Sequence, residues 1–426
     1  MSVFNANIST RIIDPVFDSE NFRTEWRLNS NTVYLSNMRL INVGIEDDGN
    51  AETGLNPLTG AYCIESIQLY DGNQLLDQVL QASIYRAFQN ANNTNDLNMS
   101  VENVLSRNSY GFIASGIQDW TGTEPNREDI KISGLWEGQF GTESGNEQNN
   151  AWISLKEVLP FLTSSLYVPT SVFKNLRLVI QWKSKAQLKN LIVERTVNVN
   201  TLSLSSLVVD EVVDGDGREK VMNNYQGVVF KAVEHDAVHC EAINPAADSK
   251  ETQNNRFLVN GFNNKTVERL IVVQTPLTES TWVDGTETKG AGNQGSVAQL
   301  NNAFQFRVNG ANKLPRSGFT KKNQRLAALT DSYGEFTIIP TSNFVYVPYM
   351  KDLVSADNQT QDLLGQIDYT ACDIREPVRE LIIEYNRDGV AGAGNAEINQ
   401  PVRLNLFGEC TKSIRVDNGK YIISYL

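Results

Sequence analysis

Histidine is almost missing from this 426-residue chain, which holds two, and cysteine is scarce at four. Two imidazoles are too few for a metal-dependent cupin, which needs several, and they leave a Ser-His-Asp or Cys-His enzyme with no nucleophile elbow near either candidate base. Cys63, Cys240, Cys372 and Cys410 lie far apart and share no paired spacing. That is the pattern of reduced thiols in strands, not of a disulfide framework or a zinc site. Long apolar runs are absent as well: none approaches the ~18 residues of a membrane-spanning helix. Residues Met1 to Asn7 have neither the basic stretch nor the apolar core of a secretory signal, so secretion by a signal peptide is not expected. Positive charge is in deficit, with 37 Lys and Arg against 50 Asp and Glu, a formal net charge of -13. A surface that wraps nucleic acid needs clustered cations to displace counterions, so direct nucleic-acid binding is not expected.

What is present is a repeat. A length of 426 residues suits two domains, each able to bury a core. A unit of a short apolar strand, a glycine-containing turn and a stretch with helical hydrophobic spacing occurs once in each half, as Ile64-Glu65-Ser66-Ile67-Gln68-Leu69-Tyr70-Asp71-Gly72-Asn73-Gln74-Leu75-Leu76 and as Phe304-Gln305-Phe306-Arg307-Val308-Asn309-Gly310-Ala311-Asn312-Lys313-Leu314-Pro315. A second pair of anchors follows each: Leu176 to Trp182, echoed by Glu380 to Tyr385. The chain reads as two copies of one β-rich domain.

Alternating apolar and polar residues from Asn21 to Gly44 predict strands with one buried face. Leu76, Val79, Leu80, Ser83, Ile84, Ala87 and Phe88 recur at steps of three and four and predict an amphipathic helix from Leu75 to Gln89. Ser154 and Glu157 have capping-box spacing and predict a short helix that Pro160 keeps short or irregular. Residues 90–150 form a long loop rich in polar residues with scattered aromatics, and 275–300 a shorter one richer in glycine. Asp214-Gly215-Asp216-Gly217 reads as a linker turn between an apolar run and a new strand. The expected domains are therefore 1–213 and 214–426. At the end of the chain, Ser413 to Ser424 is patterned as a hairpin about Asn418-Gly419, flanked by Asp417 and Lys420. Many short strands with few helices and long loops predict an all-β protein of paired antiparallel sandwiches.

No catalytic, cofactor-binding or metal site is expected. Gly290-Ala291-Gly292-Asn293-Gln294-Gly295 has the spacing of a dinucleotide loop, yet no strand leads into it and no acidic residue stands between Glu287 and Asp331 to hold a ribose. Asp214 and Asp216 resemble the start of a calcium loop, but Arg218 and Tyr225 occupy positions that need oxygen ligands. His235, His239 and Cys240 lie in a stretch rich in β-branched residues. On a strand the two imidazoles would stand roughly 13 Å apart, too far for one ion. Lys321, Lys322 and Arg325 read as a solvated helix start or subunit contact. The sequons at Asn7, Asn92, Asn98, Asn264 and Asn358 follow from an Asn-rich composition.

Several of these landmarks in order carry a resemblance. Tyr70-Asp71-Gly72-Asn73, then Leu159-Pro160-Phe161-Leu162, Val168-Pro169 and the strand Leu176 to Trp182, then Val308-Asn309-Gly310 and Leu314-Pro315, together resemble the double jelly-roll major capsid proteins. The likeness is greatest to those of virophages and polinton-like viruses, in the lineage that includes adenovirus hexon. The resemblance implies two consecutive eight-stranded jelly rolls, and a homotrimer whose six lobes make a pseudo-hexameric capsomer tiling an icosahedral shell. It implies a non-enzymatic structural role in the virion, assembly in the host cytoplasm or nucleus, and neighbouring capsomers, penton or minor capsid proteins as partners. The loops would form the outer tower and trimer contacts.

Two alternatives stand beside it. Carboxylate pairs for glycan hydrolysis converge in space and leave no spacing in sequence, so a two-sandwich glycan-binding or glycan-hydrolysing protein, with Trp120 or Trp136 as a platform, is one. A minor or vertex capsid protein is the other.

Overall fold

The structure, a computed structural model, describes residues 7–19, 23–43, 45–46, 64–85, 89, 151–183, 201–202, 205–245, 250–277, 303–314, 331–332, 369–390, 399, 401–417 and 419–426. The first part of the chain contributes β1 (Ile8–Ile13), β2 (Phe17–Ser19), β3 (Arg23–Arg27), β4 (Val33–Leu35), β5 (Arg39–Val43), β6 (Ile45–Glu46), β7 (Ile64–Asp71), β8 (Gln74–Leu80) and β9 (Ala151–Ser154). A 3-10 turn at Leu155–Glu157 and α1 (Pro160–Ser164) come next, then β10 (Tyr167–Pro169), β11 (Leu176–Trp182), β12 (Thr201–Leu202) and β13 (Ser206–Val212). After α2 (Gly215–Asn224) come β14 (Gly227–Cys240), β15 (Lys250–Val259), β16 (Lys265–Pro276), β17 (Ala303–Val308), β18 (Ala311–Asn312), β19 (Tyr369–Val378), β20 (Leu381–Val390), β21 (Val402–Asp417) and β22 (Lys420–Tyr425).

The later strands give the plainer topology. One sheet runs β14-β21-β16-β19, with β22 added to β21, and the sheet in the other layer runs β15-β20-β17-β18. Counted from β14 to β21, the eight strands take the order 1-8-3-6 in one layer and 2-7-4-5 in the other, all antiparallel, which is a jelly roll. The earlier strands repeat it: β1, β13, β5 and β9 in one layer, β3, β11, β7 and β8 in the other. Here the third and sixth positions are interrupted. β4 and β5 both pair with β13, while β9 and β10, separated by the 3-10 turn and α1, pair with β5 and β4. Among the described residues no strand of 8–212 pairs with a strand of 227–425.

The repeated anchors are structural equivalents. β7 pairs with β11 and β17 with β20, Leu176 lying opposite Asp71 and Leu381 opposite Val308. The Gly72 amide donates to the Asn175 carbonyl at 3.0 Å, and the Asn309 amide to the Glu380 carbonyl at 2.9 Å. Gly72 therefore matches Asn309, not Gly310, and both have positive φ, 58° and 50°.

Three expectations need correction. The helix from Leu75 is instead strand as far as Leu80, and helical geometry begins only at Ala82. The two-residue turn after Asp71 returns the chain onto β7, and the ladder skips Leu76, pairing Leu69 with Asp77 and Tyr70 with Leu75. A bulge of this kind places Leu76, Asp77 and Val79 in the interior, and its three-residue step imitates a helix. At Ser154 the short 3-10 turn forms, but Ser154 makes no side-chain cap, and Pro160 opens α1 at its first turn, where a missing N–H is harmless. Asp214 is a helix cap, not part of a linker turn: its carboxylate accepts from the Gly217 amide at 3.0 Å at the start of α2. The C-terminal hairpin forms as patterned, with Asp417 opposite Lys420. The loop 90–150, residues 278–302 of the second loop, the glycine motif at Gly290, and Lys321, Lys322 and Arg325 lie outside the described residues.

Candidate functional site

The feature that the duplicated fold builds and a single sandwich lacks is a seam between its two copies. A sheet with one wet face alternates in burial, but β21 reads buried at almost every position from Val402 to Ile414. Its Leu404, Leu406 and Cys410 enter the core of the second sandwich with Phe304, Phe306 and Tyr385. Phe407 and Ile414 belong instead to the core of the first, with Phe161, Phe173 and Trp182. β16 divides likewise, Leu270 and Val272 to one side, Ile271 and Val273 to the other. The layer β14-β21-β16 is therefore buried on both faces, because its outer face is covered by the first sandwich. Contact across the seam is aromatic: Phe161 meets Phe230 edge-on at 5.7 Å between centroids, and Tyr85 meets Phe407 at 5.3 Å.

Polar groups pin this interface. The Tyr85 hydroxyl donates to Glu409 Oε1 at 3.1 Å, and Arg269 holds the other oxygen of that carboxylate at 2.7 Å. Lys412, buried in the seam, sits over the rings of Phe230 and Tyr425 at 5.9 and 5.4 Å. Tyr425 donates to Glu234, whose second oxygen takes the Lys265 ammonium at 3.0 Å. Opposite Lys412 lies the carboxyl of Asp77, which burial pushes up to about 7 despite two backbone amides, from Phe161 and Gln78, and the Lys412 charge. Desolvation lowers Lys412 from the ordinary lysine value, partly offset by Asp77 and Glu234.

His235, His239 and Cys240 all fall on β14 as the extended reading requires. They do not converge. His235 stacks obliquely on Phe407 at 5.0 Å with Nε2 3.4 Å from Asn405 Oδ1, and burial drives it down to about 4. His239 is exposed, while Cys240 points into the second core, where burial raises its thiol to about 12. Cys372 and Cys410 are also free and buried, pushed up to about 11 and about 12. Cys63 lies outside the described residues, as do Trp120 and Trp136. Asp77 and Lys412 were not singled out from sequence. The available signal was an acid inside the apolar run Leu75-Leu76-Asp77-Gln78-Val79-Leu80.

No protein family and no curated protein matches the sequence. Solved structures do match. PBCV-1 VP54, as fitted into a cryo-EM reconstruction of the virophage Sputnik, is similar with a TM-score of 0.58 and 13% identity, over 100% of this chain and 98% of that one. The cryo-EM structure of the Sputnik virophage gives a TM-score of 0.53 at 9% identity, over 100% and 90%. The mavirus major capsid protein gives 0.50 at 8%, over 99% and 90%. The likeness runs the length of both chains, and the fold is the double jelly roll of viral capsid proteins.

Proposed function

We propose that this chain is a major capsid protein, a non-enzymatic subunit that trimerises into pseudo-hexameric capsomers of an icosahedral virion. The observation that carries the reading is the recurrence of one strand order in both copies, along a chain that matches capsid subunits end to end. Three such chains present six similar lobes, so threefold symmetry fills a hexagonal lattice position. We take 1–213 and 214–426 as the two lobes. Exposed apolar side chains add support: Ile8 and Ile12 on β1, and Val229, Ile422 and Leu426 around β14 and β22, stand in solvent near the leading strand of each lobe, where an oligomer would cover them. Its partners would be further copies of itself and the proteins that close the shell.

The test is native mass spectrometry and negative-stain microscopy of the purified full-length chain. Compact trimers with hexagonal outlines are expected, and a stable monomer at high concentration would overturn the proposal. Abundance in a purified particle separates a major shell component from a minor or vertex one.

A further inference from the structure

The seam joins unlike surfaces. β8, the edge strand of its sheet, lies with α1 on β14 of the second sandwich, where Phe161 meets Phe230. Because the strand order is duplicated, β1 matches β14 and β18 matches β8. The joint thus uses one of these strands from each sandwich, and among the described residues it leaves the other of each uncovered. Such a heterologous contact can repeat from copy to copy, closing into a ring when the rotation allows.

The uncovered receiving face is built from β1, β13 and β5. Leu207 and Val209 enter the first core, so Val208 and Val212, one residue out of step with them, face away from it. Ile12 and Ile8 lie directly opposite those two valines, on the same outward face, and are 64% and 52% exposed. On the covered face of β14, Phe230 and Val233 are 2% exposed. Between the two isoleucines, Asp210 accepts from the Thr10 hydroxyl at 2.6 Å and pairs with Arg39 of β5 at 3.7 Å. The covered face carries the same kind of pair on the matching strands, Arg269 of β16 on Glu409 of β21, and there Tyr85 of the other sandwich also donates to the acid. β18, the counterpart of β8, exposes Ala311 and Asn312.

We propose that the outward face of β1, β13 and β5, with Ile8 and Ile12, receives the β18 edge of a second copy of this chain, so that the seam inside one chain is repeated between chains. The contact presupposes the trimer of the capsid reading, which closes the ring after three copies.

Native mass spectrometry of the full-length chain and two variants tests it. Ile12→Asp puts a carboxylate where the contact would bury it, and the concentration at which half the chain is trimeric should rise at least ~100-fold. Leu258→Asp alters a side chain on β15, in the outer face of the other layer, that is 60% exposed. The matching face of the first sandwich keeps Arg23 and Arg27 of β3 in solvent, outside the seam, so this variant should stay trimeric. A trimer that survives Ile12→Asp, or that dissociates equally with Leu258→Asp, overturns the assignment of this face and leaves the capsid reading standing. A monomeric wild type overturns the capsid reading and the contact with it. Hydrogen exchange of the wild type serves if Ile12→Asp does not fold. Amides of residues 8–13 should exchange more slowly in the trimer than in the diluted monomer, and equal rates overturn the assignment.

Discussion

The Tyr421 hydroxyl donates to Asp71 Oδ2 at 2.9 Å, joining residues 350 positions apart. Asp71 closes β7 at the first glycine turn, and its other oxygen accepts from the Asn175 amide at 2.7 Å. Tyr421 lies on β22, with its ring 5.3 Å from Phe173 of the first sandwich. The C-terminal hairpin is thus a clasp as well as an edge, since its last strand bonds to a turn in the other sandwich.

Tyr421→Phe keeps the ring packing and removes the donor. A hydrogen bond to a charged acceptor contributes about 1.5–3 kcal/mol, and partial exposure at this turn places the loss near the lower end. A fall in the urea midpoint without a change in slope is expected. An unchanged midpoint would show the clasp to be idle.

Phe230→Ala removes a ring that is 2% exposed and meets both Phe161 and the Lys412 ammonium. Truncating a core phenylalanine costs about 3–5 kcal/mol. Because this core is shared by both sandwiches, the wild type should melt in one calorimetric transition. The variant should split that peak in two. Two peaks in the wild type would mean that the sandwiches unfold independently already.

Two glycines should respond differently to alanine. At Gly227, φ is +112° and an added Cβ would lie 1.9 Å from the Ile414 carbonyl oxygen, so β14 could not keep its register on β21. Gly227→Ala should abolish soluble expression. At Gly72, φ is +58° but no atom lies within 4 Å of the added carbon. Gly72→Ala should fold, with a loss of about 1 kcal/mol from the left-handed backbone alone. Soluble yield and thermal melting of the pair check both.

What the sequence disclosed follows from the range of the interaction. The strand-turn unit at Asp71-Gly72 and its partner at Asn309-Gly310 are local, and both were legible; that each pairs with its later anchor, β7 with β11 and β17 with β20, is long-range and came only from the structure. The helix assigned from Leu75 failed because one skipped residue in a ladder turns a period of two into a step of three. The seam was not legible, because Phe161 against Phe230 and Tyr421 against Asp71 arise only once both sandwiches exist. Val402 to Leu406 alternates apolar and polar in sequence as a strand with one wet face would, yet Asn405, Glu409, Lys412 and Ser413 are buried, so the second cover over β21 left no mark in its hydropathy.

His235 and Asp77 should oppose each other as pH changes. Burial lowers His235 to about 4 in the folded chain from 6.5. Between those values the unfolded chain binds a proton there and the folded chain does not, so this group removes stability as pH falls. Asp77 has the reverse sign: from 3.8 to about 7 the folded chain holds the proton that the unfolded chain has released, so it removes stability as pH rises. The two windows overlap almost fully, and their contributions to the wild-type melting temperature should cancel from about pH 4 to about 6.5. Each substitution alone should expose the other group. Relative to the wild type, Asp77→Asn is expected to lose melting temperature as the solution is acidified and His235→Gln to gain it, and the double variant should return to the wild-type profile. Melting curves of the four proteins at half-unit steps from pH 4 to 8 check this. Parallel curves for all four would mean that neither side chain titrates differently in the folded chain than in water.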